Sequence, residues 1–270
     1  MKPEIRTVGI MAIGNEVLDG LVLNTNANWM ELRLVALGLE MKRLVSVRDE
    51  IEEIGKALEF LMEACDVIIT SGGLGPTHDD MTLKAIAAAL GIAVKEDPEA
   101  LAIVERQYKV LFERGIVQSP DLTEARIKMA RIPEGAVPLD NQVGGAPGVR
   151  LDVNDTTIFT LPGVPSELEF IFTDSVVPWI SDRVVQKFFE QIVEFGMHDE
   201  STFAPAIDLV MKKHPGVYIK SMPKTYGTTK SLRVWVSARG EDLDTITNLV
   251  KKAILSLEEE TGLPSSIVEQ

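Results

Sequence analysis

The stretch that most constrains the fold of this chain is residues 65–85, CDVIITSGGLGPTHDDMTLKA. Residues 66–70 are mostly apolar, residues 71–76 are rich in glycine, and an alanine-rich helix is predicted to begin after residue 80. An apolar run bounded by glycines is typical of a parallel strand that is covered by helices on both faces. The sequence therefore predicts an α/β fold in which this loop ends a buried strand.

The glycine-rich loop has the composition of a phosphate-binding turn. Gly72, Gly73 and Gly75 can adopt positive φ and let a ligand approach the backbone. The next helix would begin there with free N–H groups and a positive dipole end. Asp79 and Asp80 would repel a phosphate unless a divalent cation lay between them. The alternative, which these residues leave open, is that Asp79 or Asp80 only caps the helix.

Length, charge and cysteine content exclude several classes of protein. The 270 residues, 45% of them hydrophobic, are enough for one large domain or two unequal ones. The net charge of −14 makes nucleic acid and anionic membranes poor partners. The sequence has no apolar run of membrane-spanning length and no secretory signal, so we expect a soluble, cytoplasmic protein. The single cysteine, Cys65, is expected to be a core thiol.

The first third of the chain alternates between strand and helix patterns. Residues 7–13 and 40–47 have strand patterns, and apolar residues at helical spacing follow each of them. Three such alternations predict a mostly parallel sheet. Ligands bind beyond the carboxyl ends of the strands in such sheets, so residues 14–16 and 71–80 are expected to share one crevice.

The middle of the chain is predicted to be helical and then to form short strands. The helices are expected over residues 81–90, 98–114 and 121–130, and the strands over residues 136–140, 148–153 and 156–161. Two loops rich in glycine and proline flank these strands, NQVGGAPG and LPGVPSELEF. Loops of this composition are either tight turns or binding loops, and their length does not decide between the two.

The composition changes near Pro178, and the remainder is predicted to be a small α+β unit. Its predicted order is strand 188–195, helix 200–213, strands 216–221 and 231–238, and helix 243–261. Trp235 lies in an alternating strand and is expected in the core. No third ligand candidate lies near His198 and His214, so no metal role is predicted for them.

Three loops, TSGGLGPTHDD, NQVGGAPG and LPGVPSEL, together resemble the competence-damage-inducible protein (CinA) family. The N-terminal domain of that family is similar to the molybdopterin-binding domains of molybdenum-cofactor biosynthesis proteins. The resemblance implies a three-layer αβα domain with a mostly parallel sheet over residues 1–180. It implies a smaller α+β, KH-like domain over residues 181–270. The small domain lacks a Gly-x-x-Gly clamp, so RNA binding is not expected.

The chain departs from the family pattern at three places. Gly14-Asn15-Glu16 stands where the family commonly has Gly-Asp-Glu, and Leu83-Lys84 stands where many members have a glutamate. The chain stops at Gln270, whereas longer bacterial members continue into a nicotinamide-mononucleotide deamidase domain. The activity of that domain is therefore not expected.

The resemblance implies a metal-dependent pyrophosphatase, which hydrolyses ADP-ribose or a related nucleotide to AMP and a sugar phosphate. Asp79 and Asp80 would hold a divalent ion, magnesium or a transition metal, and a monovalent cation is left open. Together with Glu16 they are the candidate catalytic residues. A homo-oligomer is expected from the likeness to the family. The expected substrate-binding residues are Asn24, Asn26, Ser71, Gly72, Gly73, Gly75, Pro76, Thr77, Asn141, Gly144, Gly145, Ala146, Pro162, Gly163 and Glu167.

Two alternatives remain beside the pyrophosphatase. The first is a molybdopterin-binding or adenylylating protein of molybdenum-cofactor biosynthesis, because one fold can serve both kinds of ligand. The GLGPT-x-DD loop favours the pyrophosphatase, since the pterin branch resembles a Gly-Gly-Thr-Gly form with a single following aspartate. The second is a non-catalytic nucleotide-binding module, which the departures at Asn15 and Lys84 keep open.

Overall fold

A computed structural model describes residues 4–197, 199–222 and 231–268 of the chain. The chain divides into two compact units. The first comprises the residues up to Val35 together with Leu39–Val184, and the second comprises Ala36–Gly38 and the residues from Val185 onward. The expectation for His198 lies outside the described residues.

The first unit alternates strands and helices through its first half and then forms short strands. Its strands are β1 (Thr7–Ile13), β2 (Glu40–Val47), β3 (Val67–Ser71), β4 (Val94–Glu96), β5 (Arg131–Pro133), β6 (Val137–Leu139), β7 (Gly148–Val153) and β8 (Thr156–Leu161). Its helices are α1 (Asn15–Leu18), α2 (Thr25–Ala36), α3 (Ile51–Met62), α4 (Thr82–Leu90), α5 (Pro98–Glu113), α6 (Glu124–Lys128), α7 (Pro165–Ile171) and α8 (Val177–Ser181). A π-helical turn, Phe172–Val176, joins α7 to α8.

The central sheet of the first unit has the strand order β2-β1-β3-β8-β7-β6. The strands β2, β1, β3 and β8 are parallel to one another, and β7 and β6 add an antiparallel edge. This arrangement confirms the predicted α/β class with a mostly parallel sheet. It also brings the carboxyl ends of β1, β3 and β8 side by side.

Helices pack on both faces of this sheet because its central strands are apolar on both faces. On one face, Ile54 and Leu58 of α3 and Ile86 of α4 pack against Met11 and Ile68. On the other, Phe159 of β8 meets Trp179 of α8 edge to face, with ring centroids 5.3 Å apart. A strand buried on both faces needs a nearly continuous apolar sequence, and β1 and β3 have one.

Two features of the first unit differ from the sequence-based expectation. A short antiparallel ribbon of β4 and β5 was not predicted. The helix expected over residues 121–130 is only the five-residue α6. Thr123 caps α6 through a hydrogen bond to the N–H of Arg126, and Arg131 already belongs to β5. The pairing of β4 with β5 joins segments that are distant in sequence, so no local sequence pattern predicts this ribbon.

The second unit is an antiparallel sheet with two helices, as the predicted α+β unit required. Its strands lie in the order β10-β11-β9-β12. Alternate residues of the central strands, such as Val193, Val234 and Val236, form its core with Phe203 and Val250 from the helices. The elements are β9 (Lys187–Phe195), α9 (Glu200–Lys213), β10 (Val217–Met222), β11 (Leu232–Gly240), α10 (Leu243–Thr261) and β12 (Ser265–Ile267).

The prediction that Trp235 lies in the core is wrong. Leu232, Val234 and Val236 of β11 are buried, so the alternation of the strand places Trp235 on the opposite face of the sheet. There its ring lies edge to face with Tyr218, and its Nε1 donates a hydrogen bond of 2.6 Å to Glu190 Oε2. The predicted strand was correct, but the face of the large aromatic residue was not.

His214 forms a hydrogen bond of 2.8 Å through Nε2 with Ser256 Oγ. This contact gives the side chain a structural partner within the second unit. In the parts of the chain that the structure describes, no helix combines the length and the apolar character needed to cross a membrane.

Candidate functional site

A cavity of about 520 Å³ lies beyond the carboxyl ends of β1, β3 and β8. The loops that follow these strands supply most of its wall, as the parallel sheet order requires. The polar or glycine residues of the wall include Glu16, Asn24, Asn26, Asp49, Ser71, Gly72, Gly73, Gly75, Asp79, Asp80, Gly145, Gly163 and Glu167. The three sequence loops singled out for their composition therefore line one pocket.

The glycine-rich loop needs its first two glycines for space and for backbone conformation. Gly72 has φ +113° and Gly73 has φ +67°, values that residues with a side chain rarely adopt. A Cβ at Gly72 would collide with the carbonyl oxygen of Ile13, and one at Gly73 with Thr82 Oγ1. Thr82 is buried, and its Oγ1 donates a hydrogen bond of 2.9 Å to the Gly72 carbonyl oxygen. This bond ties the first residue of α4 to the end of β3.

Asn24 and Asn26 have different parts in the wall of the pocket. Asn24 Oδ1 accepts a hydrogen bond of 3.1 Å from the N–H of Ala27, so it caps the start of α2. Asn26 Nδ2 donates to Ser71 Oγ at 3.0 Å and to the Gly163 carbonyl oxygen at 2.8 Å. Asn26 thus connects the loops that follow β3 and β8, and it fixes their spacing across the pocket.

The two aspartates of the glycine-rich loop brace the loop and do not cap α4. The N–H of Thr77 donates to Asp80 Oδ2 at 2.9 Å, and the single hydroxyl proton of Thr77 is shared between Asp80 Oδ2 and Asp79 Oδ1, which lie 2.6 and 2.5 Å from Oγ1. The Thr77 hydroxyl lowers the pKa of Asp79. The helix α4 begins at Thr82 without a side-chain cap, so the helix-cap alternative does not describe these residues.

Asp49 is a pocket residue that the sequence analysis missed. It follows β2, which is adjacent to β1, and its Oδ2 accepts a hydrogen bond of 3.0 Å from the N–H of Asn15. Burial raises the pKa of Asp49, and the negative charges of Glu16, Asp79 and Asp80 raise it further. Three other carboxylates are therefore close enough to repel the charge of Asp49. The signal that could have found Asp49 is its place just after a strand next to β1.

Asn15, which replaces the usual aspartate of the family pattern, does not line the pocket. Its N–H holds Asp49, and its Oδ1 accepts a hydrogen bond of 3.3 Å from Arg48 Nη1. Arg48 also pairs with Asp19 at 2.6 Å. The carboxylate of Asp49, just after β2, thus lines the pocket, while the side chain of Asn15 forms its hydrogen bond outside it.

Asn141 is buried, and it pairs with the partly buried Glu167. Asn141 has no exposed surface. Its Nδ2 donates two hydrogen bonds of 2.7 Å, one to the Ala146 carbonyl oxygen and one to Glu167 Oε2. Its Oδ1 accepts from the N–H groups of Val143 and Gly144 at 2.9 and 3.0 Å. Burial raises the pKa of Glu167, and the bond from Asn141 opposes that shift. A Cβ at Gly144 would collide with the carboxylate of Glu167 in its present position.

Most of the predicted site residues line the cavity, and three do not. Thr77, Asn141 and Gly144 lie outside its wall, and act on it through Asp79, Asp80 and Glu167. Residues of the wall that were not predicted include apolar and aromatic side chains. They are Ala12, Ile13, Val17, Val22, Leu23, Leu74, Tyr108, Met129, Val164 and Pro165.

The donor set of the pocket suits a hard divalent cation. Glu16, Asp49, Asp79 and Asp80 offer carboxylate oxygens, which magnesium prefers. Among the described residues, however, no group of three or more Asp, Glu, His or Cys side chains is arranged to hold a metal ion. Magnesium is usually bound through one or two carboxylates and the phosphates of a substrate, so the set fits a cation that binds together with a ligand.

Comparison with known sequences gives a match to one protein family. A family described as "Probable molybdopterin binding domain" matches residues 9–182. Every residue that lines the cavity falls within this range. The match therefore includes the whole of the candidate site.

Several archaeal proteins resemble the chain over nearly its full length. A protein of Pyrobaculum arsenaticum is 41% identical over 247 residues, which are 90% of each chain. A protein of Thermoplasma acidophilum is 33% identical over 255 residues, covering 93% of this chain and 94% of its own. The crystal structure of CinA, a protein of unknown function from Thermoplasma acidophilum, is 37% identical, with a TM-score of 0.57. It covers 63% of this chain and 95% of the CinA chain. The likeness supports the CinA resemblance, whereas the KH-like character of the second unit and the lack of a deamidase domain stay predictions.

The family match corrects the predicted activity. The prediction that the chain hydrolyses ADP-ribose to AMP and a sugar phosphate is wrong, because the matched family is described as binding molybdopterin. That description agrees with the pterin alternative. The physical reason for the error is that a glycine loop and carboxylates indicate a phosphate and a cation, which both kinds of ligand share.

Proposed function

The chain belongs to the family of probable molybdopterin-binding domains, and we propose that its strand-end pocket binds a molybdopterin-type ligand, a pterin that carries a phosphate group. The observation that carries the proposal is the family match over residues 9–182, which contains the whole wall of the pocket. A volume of about 520 Å³ is suited to a ligand of this size.

The pocket has a separate place for each part of such a ligand. The N–H of Gly72 already donates to the Leu161 carbonyl oxygen, so the phosphate binds at the backbone N–H groups of residues 73–75, where Gly73 has a positive φ. Glu167 is a partly buried carboxylate, and it can accept hydrogen bonds from the N–H donors of a pterin ring. Val22 and Leu23 supply an exposed apolar rim, against which a flat ring can lie.

The carboxylates of the pocket would repel a bound phosphate unless a cation neutralised their charge. Asp79 and Asp80 lie in the same loop as the phosphate-binding glycines, and Asp49 and Glu16 add further negative charge. A bound divalent ion would neutralise charge between these side chains and the phosphate oxygens. Thr77 holds the two aspartates on the pocket side of the loop.

A second candidate function is adenylylation of the bound ligand, and the four carboxylates favour it. In that reaction an oxygen of the pterin phosphate attacks the α-phosphorus of ATP, a new P–O–P bond forms, and pyrophosphate leaves with the electron pair of the broken bond. The protein would orient the two phosphates in line and exclude water. Four carboxylates are more than the pocket needs to hold one cation and one phosphate, so they favour a reaction that brings in the phosphates of ATP as well.

Calorimetry with a phosphorylated pterin tests the binding proposal. The same pterin without phosphate and the variant Glu167→Gln should each bind about tenfold more weakly, since each loses one charge-assisted contact. Glu169→Gln, on the same helix α7 but outside the pocket wall, is the matched control and should bind as the parent does. Equal binding of the two pterins, or no saturable binding, would overturn the proposal.

Release of pyrophosphate from ATP tests the adenylylation candidate. The release should require both the phosphorylated pterin and a divalent salt, and Asp79→Asn should reduce it by about a hundredfold or more. Asp121→Asn, in an exposed loop, removes the same charge away from the pocket and should leave the rate unchanged. If the chain binds the pterin but releases no pyrophosphate with any divalent salt, the adenylylation candidate is excluded and only the binding proposal stands.

A further inference from the structure

A second cavity, of about 430 Å³, lies beside the glycine-rich loop in the first unit. It shares Gly73, Leu74, Gly75, Asp80 and Met129 with the wall of the strand-end pocket. The rest of its wall comes from the start of α3, from residues 78 and 81 just before α4, and from α4, α6, β4 and β5. The loop thus separates two cavities, and each could hold a ligand.

The charge of the second cavity is opposite to that of the strand-end pocket. Lys84, Lys128 and Arg131 lie in its wall, and His78 stands almost fully exposed at its edge. Among the described residues that line it, Asp80 alone is acidic. Three basic side chains and one acidic side chain give the wall of this cavity a net positive charge, although the whole chain has a net charge of −14.

Lys84 lies at a position where a lysine does not stabilise its helix. It is the third residue of α4, and a cation in the first turn is disfavoured by the helix dipole. It is exposed, and it forms no ion pair with a described residue. An unpaired lysine in this position is available to bind an anion.

Lys128 and Arg131 place two further cations at the same cavity. Lys128 Nζ donates to the carbonyl oxygen of Thr77, and Arg131 pairs with Glu124 at 2.5 Å. The carboxylate of Glu124 is exposed, so this pair is readily exchanged for another anion. The contact of Lys128 with Thr77 also connects the cavity to the residue that holds Asp79 and Asp80.

Apolar side chains form the remainder of the wall. Met81, Leu83 and Met129 lie in it, and Ile51 and Val94 are exposed at its edge. A phosphate alone would leave these groups in contact with water. The wall therefore suits a ligand with one anionic group and one flat apolar part, and the volume is in the usual range of about 300–1,000 Å³ for small-molecule sites.

We propose that this second cavity is a binding site for a small phosphate ester with a flat apolar group, of the nucleoside monophosphate class. The phosphate binds among Lys84, Lys128 and Arg131, and the base or ring lies against Met81, Leu83 and Val94. The proposal is independent of the function proposed for the strand-end pocket, because Lys84, Lys128 and Arg131 do not line that pocket.

Titration calorimetry of the full chain with AMP, adenosine and inorganic phosphate tests the proposal. AMP should bind at least about tenfold more tightly than adenosine or phosphate, because only AMP uses both parts of the wall. Lys84→Glu should weaken AMP binding by about tenfold or more, since it replaces an attraction by a repulsion. Lys56→Glu is the matched control, because Lys56 is an exposed lysine of α3 outside both cavities.

The variant Lys84→Glu is expected to fold, since a carboxylate is favourable in the first turn of a helix. Lys84→Gln, which removes the charge without reversing it, gives a second measurement if the first variant does not fold. AMP that binds in the strand-end pocket instead would be insensitive to both Lys84 variants but weakened by Glu167→Gln. That pattern would overturn the proposal. Equal losses of AMP affinity in the Lys84 and Lys56 variants would overturn it too, and so would the absence of AMP binding.

Discussion

At the scale of single residues, Asp49 illustrates how a functional site costs stability. Its carboxylate is partly buried and faces the charges of Glu16, Asp79 and Asp80, so its pKa in the folded chain is raised. A carboxylate in this situation opposes folding when it is ionised and does so less when it is protonated. We infer that Asp49 is retained for what the pocket binds.

Replacement of Asp49 by asparagine should therefore stabilise the chain. We expect Asp49→Asn to raise the free energy of unfolding by about 0.5–1 kcal/mol at pH 7, a value reduced by the solvent exposure of the group. Because the folded pKa is raised, the difference should vanish as the pH falls below the ordinary aspartate pKa of 3.8. Urea unfolding at several pH values measures it. A destabilised variant at pH 7 would show that the bond from Asn15 outweighs the repulsion.

Asn141 should be the most sensitive polar residue of the pocket region. Asn141→Ala removes its bonds to the Val143 and Gly144 N–H groups, to the Ala146 carbonyl oxygen and to Glu167. Buried groups without a partner each lower stability, so we expect a loss of about 2–4 kcal/mol in urea unfolding.

Gln142→Ala is the matched control for Asn141→Ala. Gln142 is the adjacent residue, it is exposed, and its Nε2 donates a hydrogen bond of 3.0 Å to Asp140 Oδ2. We expect a change within about 0.5 kcal/mol. Similar losses in the two variants would show that the loop has no single buried polar centre.

At the scale of elements, the connection from β3 to α4 decides the shape of the strand-end pocket. We expect Gly72→Ala to lower the free energy of unfolding by about 3 kcal/mol or more, because a Cβ would both strain the backbone and collide with Ile13. Gly115→Ala separates these causes. Gly115 also has a positive φ, +70°, but a Cβ there meets open space, so the expected loss is only about 1–2 kcal/mol. Equal losses in thermal or urea unfolding would contradict the steric explanation.

The start of α9 should respond to acid through Asp199. Hydrogen bonds from Ser201 and Thr202 lower the pKa of this carboxylate to about 2. Because the folded pKa is depressed, the stabilisation is complete above the ordinary value of 3.8, and it is lost as the pH falls through about 2. An NMR titration of the side-chain carboxyl carbon should give this midpoint. A midpoint near 3.8 would mean that the cap is not formed in solution.

At the scale of the whole molecule, the two units have separate cores. The core of the second unit is formed by its own strands and helices, with Phe195, Phe203 and Val234 fully buried. We expect a fragment that begins at residue 185 to fold by itself and to unfold cooperatively on heating. Dispersed amide resonances in a two-dimensional NMR spectrum would support this expectation. A disordered fragment would show that its core is insufficient without the rest of the chain.

Much of the fold was predictable because its signals are local. The apolar runs of β1 and β3, the helical spacing in α3 and α10, and the strand-helix alternation each report short-range geometry. The ribbon of β4 and β5 and the outward face of Trp235 were not predictable in this way. They depend on which distant segment pairs with a strand and on which face of a sheet the helices cover.

The sequence by itself determined that the glycine-rich loop ends a buried strand of an α/β sheet, since glycine and apolar periodicity act through the local backbone. The tertiary structure decided that Asp49 joins the carboxylates of that loop, because β2 lies beside β1. It also decided that Lys84 faces a different cavity from Asp79. Which side chains share a cavity depends on the strand order and on the packing of helices, and neither is encoded in the spacing of residues along the chain.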